Sequence, residues 1–274
     1  MPGVLTVYRW ELFKLRYLKR TYLGLGAAAL VPIGFVIAIG VQRQSQRGGG
    51  DFAFADYIDK SGLAIPLVGL LFGAIWMFPL ITALVAGDIF ASEDHNGTLK
   101  TIFTRSLERW QLFCGKALVA TTYAVVAIFL FGTVAVIAGC LESGFNPLQS
   151  LSGTIVSAPK ALGLVYVSLL IYLIPIAAIT CIGLLLSTVT RNSAAAVVGT
   201  LMVALMFQLI AVLPGTGALV PYLLSTQFNA WQGLLRTPID WTPVIRAAWV
   251  CALYGVPSIC AAWLVFLRRD VAGG

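Results

Sequence analysis

Long stretches without charge constrain this chain more than any other feature of its sequence. Only 11% of the 274 residues are charged, whereas 59% are hydrophobic, and the charged residues lie in clusters. The stretches between clusters reach or exceed the ~20 residues that a helix needs to cross a hydrocarbon layer ~30 Å thick. They also lack the strict alternation of membrane strands. The sequence therefore predicts an all-α membrane protein.

The apolar stretches divide the chain into one domain with six transmembrane helices. The expected spans are residues 22–41, 63–87, 117–141, 161–190, 193–213 and 247–267. If both termini are cytoplasmic, twice as many Lys and Arg residues lie inside as outside, which is the distribution that the positive-inside rule favours. The basic residues thus flank spans, and the net charge of +7 gives no reason to expect a nucleic-acid partner.

Two further segments are expected at the membrane surface. Residues 1–21 mix basic and aromatic side chains and predict an interfacial elbow helix on the inner leaflet, although Glu11 and Lys14 fall on other faces and make the amphipathic pattern imperfect. A basic start that only fixes orientation is the alternative. Residues 214–235 carry no charge but hold several Pro and Gly. The segment 214–246 therefore predicts re-entrant helices in the outer leaflet. The interfacial residues would be Arg9, Trp10, Arg16 and Arg20.

The sequence lacks the residues that several classes of function require. The six predicted spans hold no ionisable residue in their interior, which argues against an ion-driven transporter. His95 is the single histidine, so no His-Glu-x-x-His metal site exists. No phosphate-binding loop of the Gly-x-x-x-x-Gly-Lys-Ser/Thr type is present either. We therefore expect no catalytic residue, metal or cofactor in this chain, and any work of transport must come from a partner.

The charged segment 88–116, between the second and third spans, is where a partner would bind. It combines acidic, basic and aromatic side chains, and Asn96-Gly97 interrupts it. Composition alone leaves two alternatives, a surface that contacts a protein and a solvated loop of balanced charge.

The order of residues in this segment resembles the type-2 ABC-transporter permease family. The matching pattern is Glu93-x-x-x-Gly97-Thr98-Leu99, then Arg105 with Arg109-Trp110 following, then Gly115-Lys116 at the start of the third span. The wider layout of elbow helix, six spans and outer re-entrant helices is also similar. Where the family often has Pro-Val-Ser, this chain has Ser106-Leu107-Glu108, which puts the shape of that turn in doubt.

The resemblance implies the membrane subunit of a bacterial ABC exporter in the plasma membrane. Two separate ATPase subunits, with their ATP and Mg, would drive a pair of identical or similar permeases, and a cytoplasmic coupling helix within 88–116 would receive the motion. Lipids, hydrophobic drugs, peptides and glycans are the substrate classes compatible with it. The implied coupling residues are Glu93, Gly97, Thr98, Leu99, Arg105, Arg109, Trp110 and Lys116. The alternatives are a membrane assembly or structural protein without transport activity and, less favoured, an ion-driven secondary transporter.

A second permease would contact this chain through small residues, because lipid provides no hydrophobic drive for helix association. The fifth span begins with a group of small residues that predicts such a face. Packing inside one chain is the alternative for small residues of this kind. The group consists of Ser193, Ala195, Ala196 and Gly199.

Overall fold

The computed structural model describes residues 3–45, 55–95 and 108–268, and most of these residues are helical. Within these three ranges, five helices are long and apolar enough to cross a membrane, and a bent helix pair would make a sixth span if it counts as one. The expectation of a helical protein with several membrane-spanning helices is therefore confirmed.

The helices follow the chain in an order close to the expected one. The long helices are α2 (Lys19–Ser45), α7 (Arg109–Ser143), α8 (Ala158–Thr190), α9 (Ser193–Val212) and α11 (Thr242–Leu267). The shorter ones are α1 (Val4–Leu15), α3 (Ala55–Lys60), α4 (Ala64–Gly73), α5 (Met77–Ala86), α6 (Ala91–His95) and α10 (Leu224–Gln227), with 3-10 turns at Val220–Tyr222 and Ala230–Leu235. A hairpin of β1 (Leu148–Gln149) and β2 (Ile155–Val156) precedes α8.

The second expected span is broken. A single helix was predicted over 63–87, but α4 ends at Gly73, α5 begins at Met77, and the two halves are bent by 63°. Pro79, in the first turn of α5, explains the break, because a proline has no N–H to donate and its ring would collide with the carbonyl four residues earlier, that of Ile75. The buried hydroxyl of Tyr172 on α8 donates to the Leu70 carbonyl in the last turn of α4, at 3.1 Å.

The long helices have two ends, which are built differently. At one end, hereafter the hairpin end, the β1–β2 loop packs against the segment that follows α9. The Leu151 N–H donates to the Leu235 carbonyl at 3.0 Å, and the Thr237 N–H donates to the Ser152 hydroxyl at 2.9 Å. At the opposite end, hereafter the α1 end, α1 and α6 meet the start of α7.

Short elements make up most of the segment 214–246, which was expected to be re-entrant. It forms short helices and turns whose apolar side chains pack into the protein, among them Leu224, Phe228 and Trp231. Its last residues belong to α11, which begins at Thr242 instead of at 247. This early start follows from Pro243, since the first turn is the one place in a helix where proline is favoured.

Helix α8 lies at the centre of the fold and α9 at its edge. In their most apolar windows, 61% of the residues of α8 are buried inside the protein but only 17% of those of α9. Around α8, the rings of Phe78 and Tyr172 lie edge to face, with their centroids 5.1 Å apart. Apolar side chains on α2, α9 and α11 point outward, as expected of helices surrounded by hydrocarbon.

Candidate functional site

A lysine is completely buried at the α1 end. The side chain of Lys116, two turns into α7, has no exposed surface. Its Nζ lies 2.8 Å from Glu93 Oε1 and 3.0 Å from Glu11 Oε1, and it donates to the Ile89 carbonyl at 3.1 Å. The same ammonium lies 5.6 Å from the centroid of the Phe90 ring, within the range of a cation–π contact. One side chain thus joins α1, the α5–α6 turn and α6 to α7.

A second lysine balances the charge of this group. Lys14 of α1 contacts Glu93 Oε1 and lies 3.7 Å from Glu11 Oε2. We call Glu11, Lys14, Glu93 and Lys116 the ion cluster. It holds two cations and two carboxylates, and buried charges of this kind are tolerated only when they are paired and hydrogen-bonded. The cluster is formally neutral, so it fixes the relative positions of its helices without leaving a net charge inside.

The neighbouring glycine on α7 allows α1 to come this close. A Cβ at Gly115 would lie 2.6 Å from Val7 Cγ1 and 3.3 Å from the Tyr8 backbone nitrogen. On α1, Val7 and Glu11 are one turn apart and share the buried face. Gly115 therefore lets α1 pack on α7, and this contact brings the Glu11 carboxylate to Lys116.

The turn between α5 and α6 is held by α8. The hydroxyl of Ser187 accepts from the backbone N–H groups of Phe90 and Ala91, at 3.1 and 3.0 Å. First-turn N–H groups have no partner inside their own helix, so a side-chain oxygen from another helix supplies one here. Ser187 is fully buried, and it orients the helix that presents Glu93.

A second polar contact ties the same turn to α2 and α9. The Asp88 carboxylate, 1% exposed, pairs with Arg20 near the start of α2 and accepts the hydroxyl of Ser193 at the start of α9. Nearby, Asp94 and Arg191 approach to 3.7 Å at the surface. The segment from Asp88 to Asp94 is therefore held by polar side chains from α1, α2, α7, α8 and α9.

Aromatic rings connect this segment to the last helix as well. The Phe90 ring lies 5.5 Å from that of Phe113 on α7 and 5.1 Å from that of Phe266 on α11. Arg109, the first residue of α7, donates to the Leu267 carbonyl at the end of α11. Residues 88–94 thus contact every long helix of the fold, and we call this segment with its contacts the junction.

Comparison with known families assigns the chain to one of them. Residues 35–272 match the model of a family described as a protein of unknown function, DUF2705. This chain belongs to the DUF2705 family. A comparison with curated proteins found no match. The DUF2705 match includes Glu93 and Lys116 but begins after α1, so Glu11 and Lys14 lie outside it.

The expected coupling residues of this DUF2705 chain fall into three groups. Glu93 and Lys116 are buried and bind each other. Arg109 and Trp110 lie at the start of α7, where Trp110 is 46% exposed and its indole N–H donates to Glu108. The other expected residues, Gly97, Thr98, Leu99 and Arg105, lie outside the described residues. A buried Lys116 cannot contact another protein unless it first leaves the cluster.

The expected interfacial helix is shorter than residues 1–21. It ends at Leu15, so Arg20 belongs to α2, where its guanidinium turns inward to Asp88. The outward side of α1 carries Arg9 and several aromatic residues, and the exposed Arg16 follows the helix. Its exposed aromatic residues are Trp10 and Phe13, with Tyr17 following the helix.

Most of the small residues expected to form a contact with a second permease contact other parts of this chain. Ser193 binds Asp88, and Ala196 is fully buried inside this chain. A Cβ at Gly199 would lie 3.3 Å from Leu186 on α8, and Ala195 is exposed. Three of the four residues therefore contact other parts of this chain, because the start of α9 lies against the α5–α6 turn and α8.

Sequence reasoning missed Glu11, Lys14, Asp88 and Ser187 as members of the site. The signal for the first two was the departure of Glu11 and Lys14 from the amphipathic pattern of the first helix. A charge that breaks such a pattern can face the protein, and here Glu11 binds Lys116 while Lys14 binds Glu93. Within the described residues, no group of three or more His, Cys, Asp or Glu is arranged to hold a metal ion.

Proposed function

We propose that this DUF2705 chain is the permease subunit of an ATP-driven exporter and is energised by a separate ATPase. The single observation that supports the proposal best is the junction, in which residues 88–94 contact every long helix. A force applied next to this segment would reach all of these helices, because a hydrogen bond, an ion pair or a ring contact joins the segment to each of them. Rigid movement of helices is a common way to open a path.

The proposal gives the buried and the exposed residues different roles. Glu93 and Lys116 transmit motion within the chain, since the ion cluster encloses both of them. Contact with the ATPase is assigned to residues 97–105 and to the start of α7 at Arg109 and Trp110. ATP and Mg are bound by the ATPase subunits, two of which pair with two permeases. Lipids, hydrophobic drugs, peptides and glycans remain the candidate substrates.

In this proposal the α1 end faces the cytoplasm of a bacterial cell and both termini lie there. The outward aromatic and basic face of α1 then rests in the inner leaflet. The charge of exposed residues agrees with this orientation, because Arg9, Arg16 and Lys19 are at the α1 end and basic residues favour the cytoplasmic side.

Labelling from the two sides of the membrane tests the orientation. In a variant whose five native cysteines are replaced, a single cysteine at Thr98 should react with a membrane-impermeant maleimide only after the cytoplasmic side is opened. A single cysteine at Ser152, in the β1–β2 loop, is the matched control and should react from outside. Reaction of Thr98→Cys from the outer side would refute the coupling role.

Copurification and ATP hydrolysis test the coupling itself. The intact chain should bring a transport ATPase with it from native membranes, and the complex should hydrolyse ATP in proteoliposomes. Arg105→Ala should lower that hydrolysis by about fivefold or more, the size of a typical coupling energy. Arg236→Ala, an exposed residue at the hairpin end, should leave it unchanged.

Two outcomes would favour the alternatives. If no ATPase accompanies the solubilised chain and Arg105→Ala has no effect, an assembly role is the better account. If vesicles without ATP accumulate a solute under an ion gradient, the chain is a secondary transporter. Lys116 would then be the residue to examine, since an ionisable side chain inside a candidate membrane helix often serves ion or proton transfer.

A further inference from the structure

An apolar crevice opens beside the broken span. It has a volume of about 70 Å³ and lies between α2, α4, the start of α5 and α7. All of its lining residues are apolar. The side chains that form its walls include Pro32, Phe35, Phe72, Trp76 and Phe131.

The break in the second span creates this space. Between Gly73 and Met77 the backbone turns, so the two halves no longer cover the side of α2 as a straight helix would. Gly69 brings α4 close to α7 on the inner side, since a Cβ there would lie 2.5 Å from the Phe131 ring. The gap is left on the outer side, between Phe72 and α2.

The crevice opens outward near the middle of the membrane. Its rim residues are partly exposed, with Val31 at 39%, Phe72 at 46% and Trp76 at 53%. Helix α4 begins at the hairpin end and has 10 residues. At about 1.5 Å per residue, the break lies ~15 Å from that end, about half the thickness of a ~30 Å hydrocarbon layer. The medium around the rim is therefore lipid chain, not water or headgroup.

We propose that the crevice binds one acyl chain of a bilayer phospholipid. Apolar cavities stay dry and accept apolar molecules, and at this depth the surrounding membrane supplies acyl chains. Its walls offer no polar side chain that could bind a headgroup or a charged substrate. The bound chain packs against the rings of Phe35 and Phe72, whose centroids are 6.3 Å apart, and supports the bend between α4 and α5. This site does not depend on an ATPase or on the exporter function.

A lipid that cross-links from the middle of its chain tests the proposal. The full-length protein is reconstituted in phosphatidylcholine that carries a photoreactive diazirine at mid-chain, irradiated, digested and analysed by mass spectrometry. Labelling should concentrate on the peptides that hold Phe35 and residues 72–77. It should exceed the labelling of equally exposed apolar residues on α9 and α11, such as Met202 and Leu264.

Two variants of equal exposure provide the control. Val31→Phe places a ring in the crevice and should lower the labelling of residues 72–77 by about tenfold. Ile33→Phe adds the same ring two residues away, at a position that is also 39% exposed but does not line the crevice. This variant should leave the labelling of residues 72–77 unchanged.

Three results would overturn the proposal. The first is labelling of the wild type in proportion to exposure on all outward helices. The second is an equal effect of the two Phe variants. The third is efficient cross-linking of Phe72→Cys between two copies in membranes, which would show that a second chain covers the crevice.

Discussion

Replacing Lys116 by methionine is the sharpest test of the ion cluster. Methionine keeps most of the volume but removes the cation that binds Glu93, Glu11 and the Ile89 carbonyl. Within the ion cluster, the two carboxylates would then keep one cation, Lys14, whose side chain is 41% exposed. Removal of one partner from a buried ion pair costs about 3–5 kcal/mol, because the other charge stays buried. For a chain of this size that loss lowers the midpoint of thermal unfolding by roughly 6–20 °C.

The assay is thermal unfolding of the purified protein in detergent, followed by circular dichroism. Lys160→Met, at an exposed position on α8, is the control and should change stability by less than ~0.5 kcal/mol. Lys14→Met should cost less than Lys116→Met, since the Lys14 side chain is 41% exposed and water screens its charge. The double variant Lys116→Met/Glu93→Gln should be more stable than the sum of the single changes predicts. If Lys116→Met unfolds at the same temperature as Lys160→Met, the cluster does not hold the junction together.

Three further predictions follow from single contacts. Gly139→Ala should destabilise the protein, because its Cβ would lie 2.3 Å from a backbone oxygen of the facing loop. A Cβ at Gly163 would meet nothing within 4 Å, so Gly163→Ala should gain up to ~1 kcal/mol from helix propensity. The difference between the thermal midpoints of the two variants tests this prediction. Ser187→Ala should cost about 1–3 kcal/mol by leaving two buried N–H groups unpaired, while Ser258→Ala, whose hydroxyl only bonds its own helix, should be near neutral in the same assay. Hydrogen bonds from Thr242 are the main cause that holds the pKa of Asp240 below its usual range. The stability that this carboxylate contributes is therefore present above its ordinary pKa and is lost as the pH falls through the lowered value. In an acid titration Asp240→Asn should lose that part of the pH dependence, and an unchanged acid midpoint would contradict this.

The long helices could be predicted from sequence because their signal is local. A run of apolar residues long enough to cross a membrane is visible without knowing what surrounds it, and α7, α8, α9 and α11 lie where such runs lie. Their ends were predicted less well. Helix α7 begins at Arg109, eight residues before the expected 117, since its first turns are polar and are stabilised by contacts with α1 and α11.

The break of the second span could have been predicted from one residue. Pro79 was visible in the sequence, and a proline inside a membrane helix indicates a bend or a break there. The observed break also needs partners, because Tyr172 donates to the Leu70 carbonyl at the end of α4. Such a donor comes from a helix about a hundred residues away, and no local pattern indicates it.

Only part of the site could be predicted from the sequence, because contacts between distant helices leave no local pattern. Glu93 and Lys116 were chosen as residues that face a partner, and their proximity follows only from the packing of α1 on α7. Gly115 permits that packing and Glu11 completes the charge pairing. The direction of a charged side chain, toward water or toward the protein, depends on which helix covers it.

The sequence by itself determined that this chain is helical and can cross a membrane, because the transfer of apolar side chains into hydrocarbon depends on composition and length. Only the tertiary structure decided that the charges of α1, α6 and α7 form one buried neutral cluster, and that Arg20 turns inward to Asp88. Opposite charges far apart in the chain attract strongly only when folding removes the water between them. That pairing is therefore a property of the assembled helices and not of any one segment.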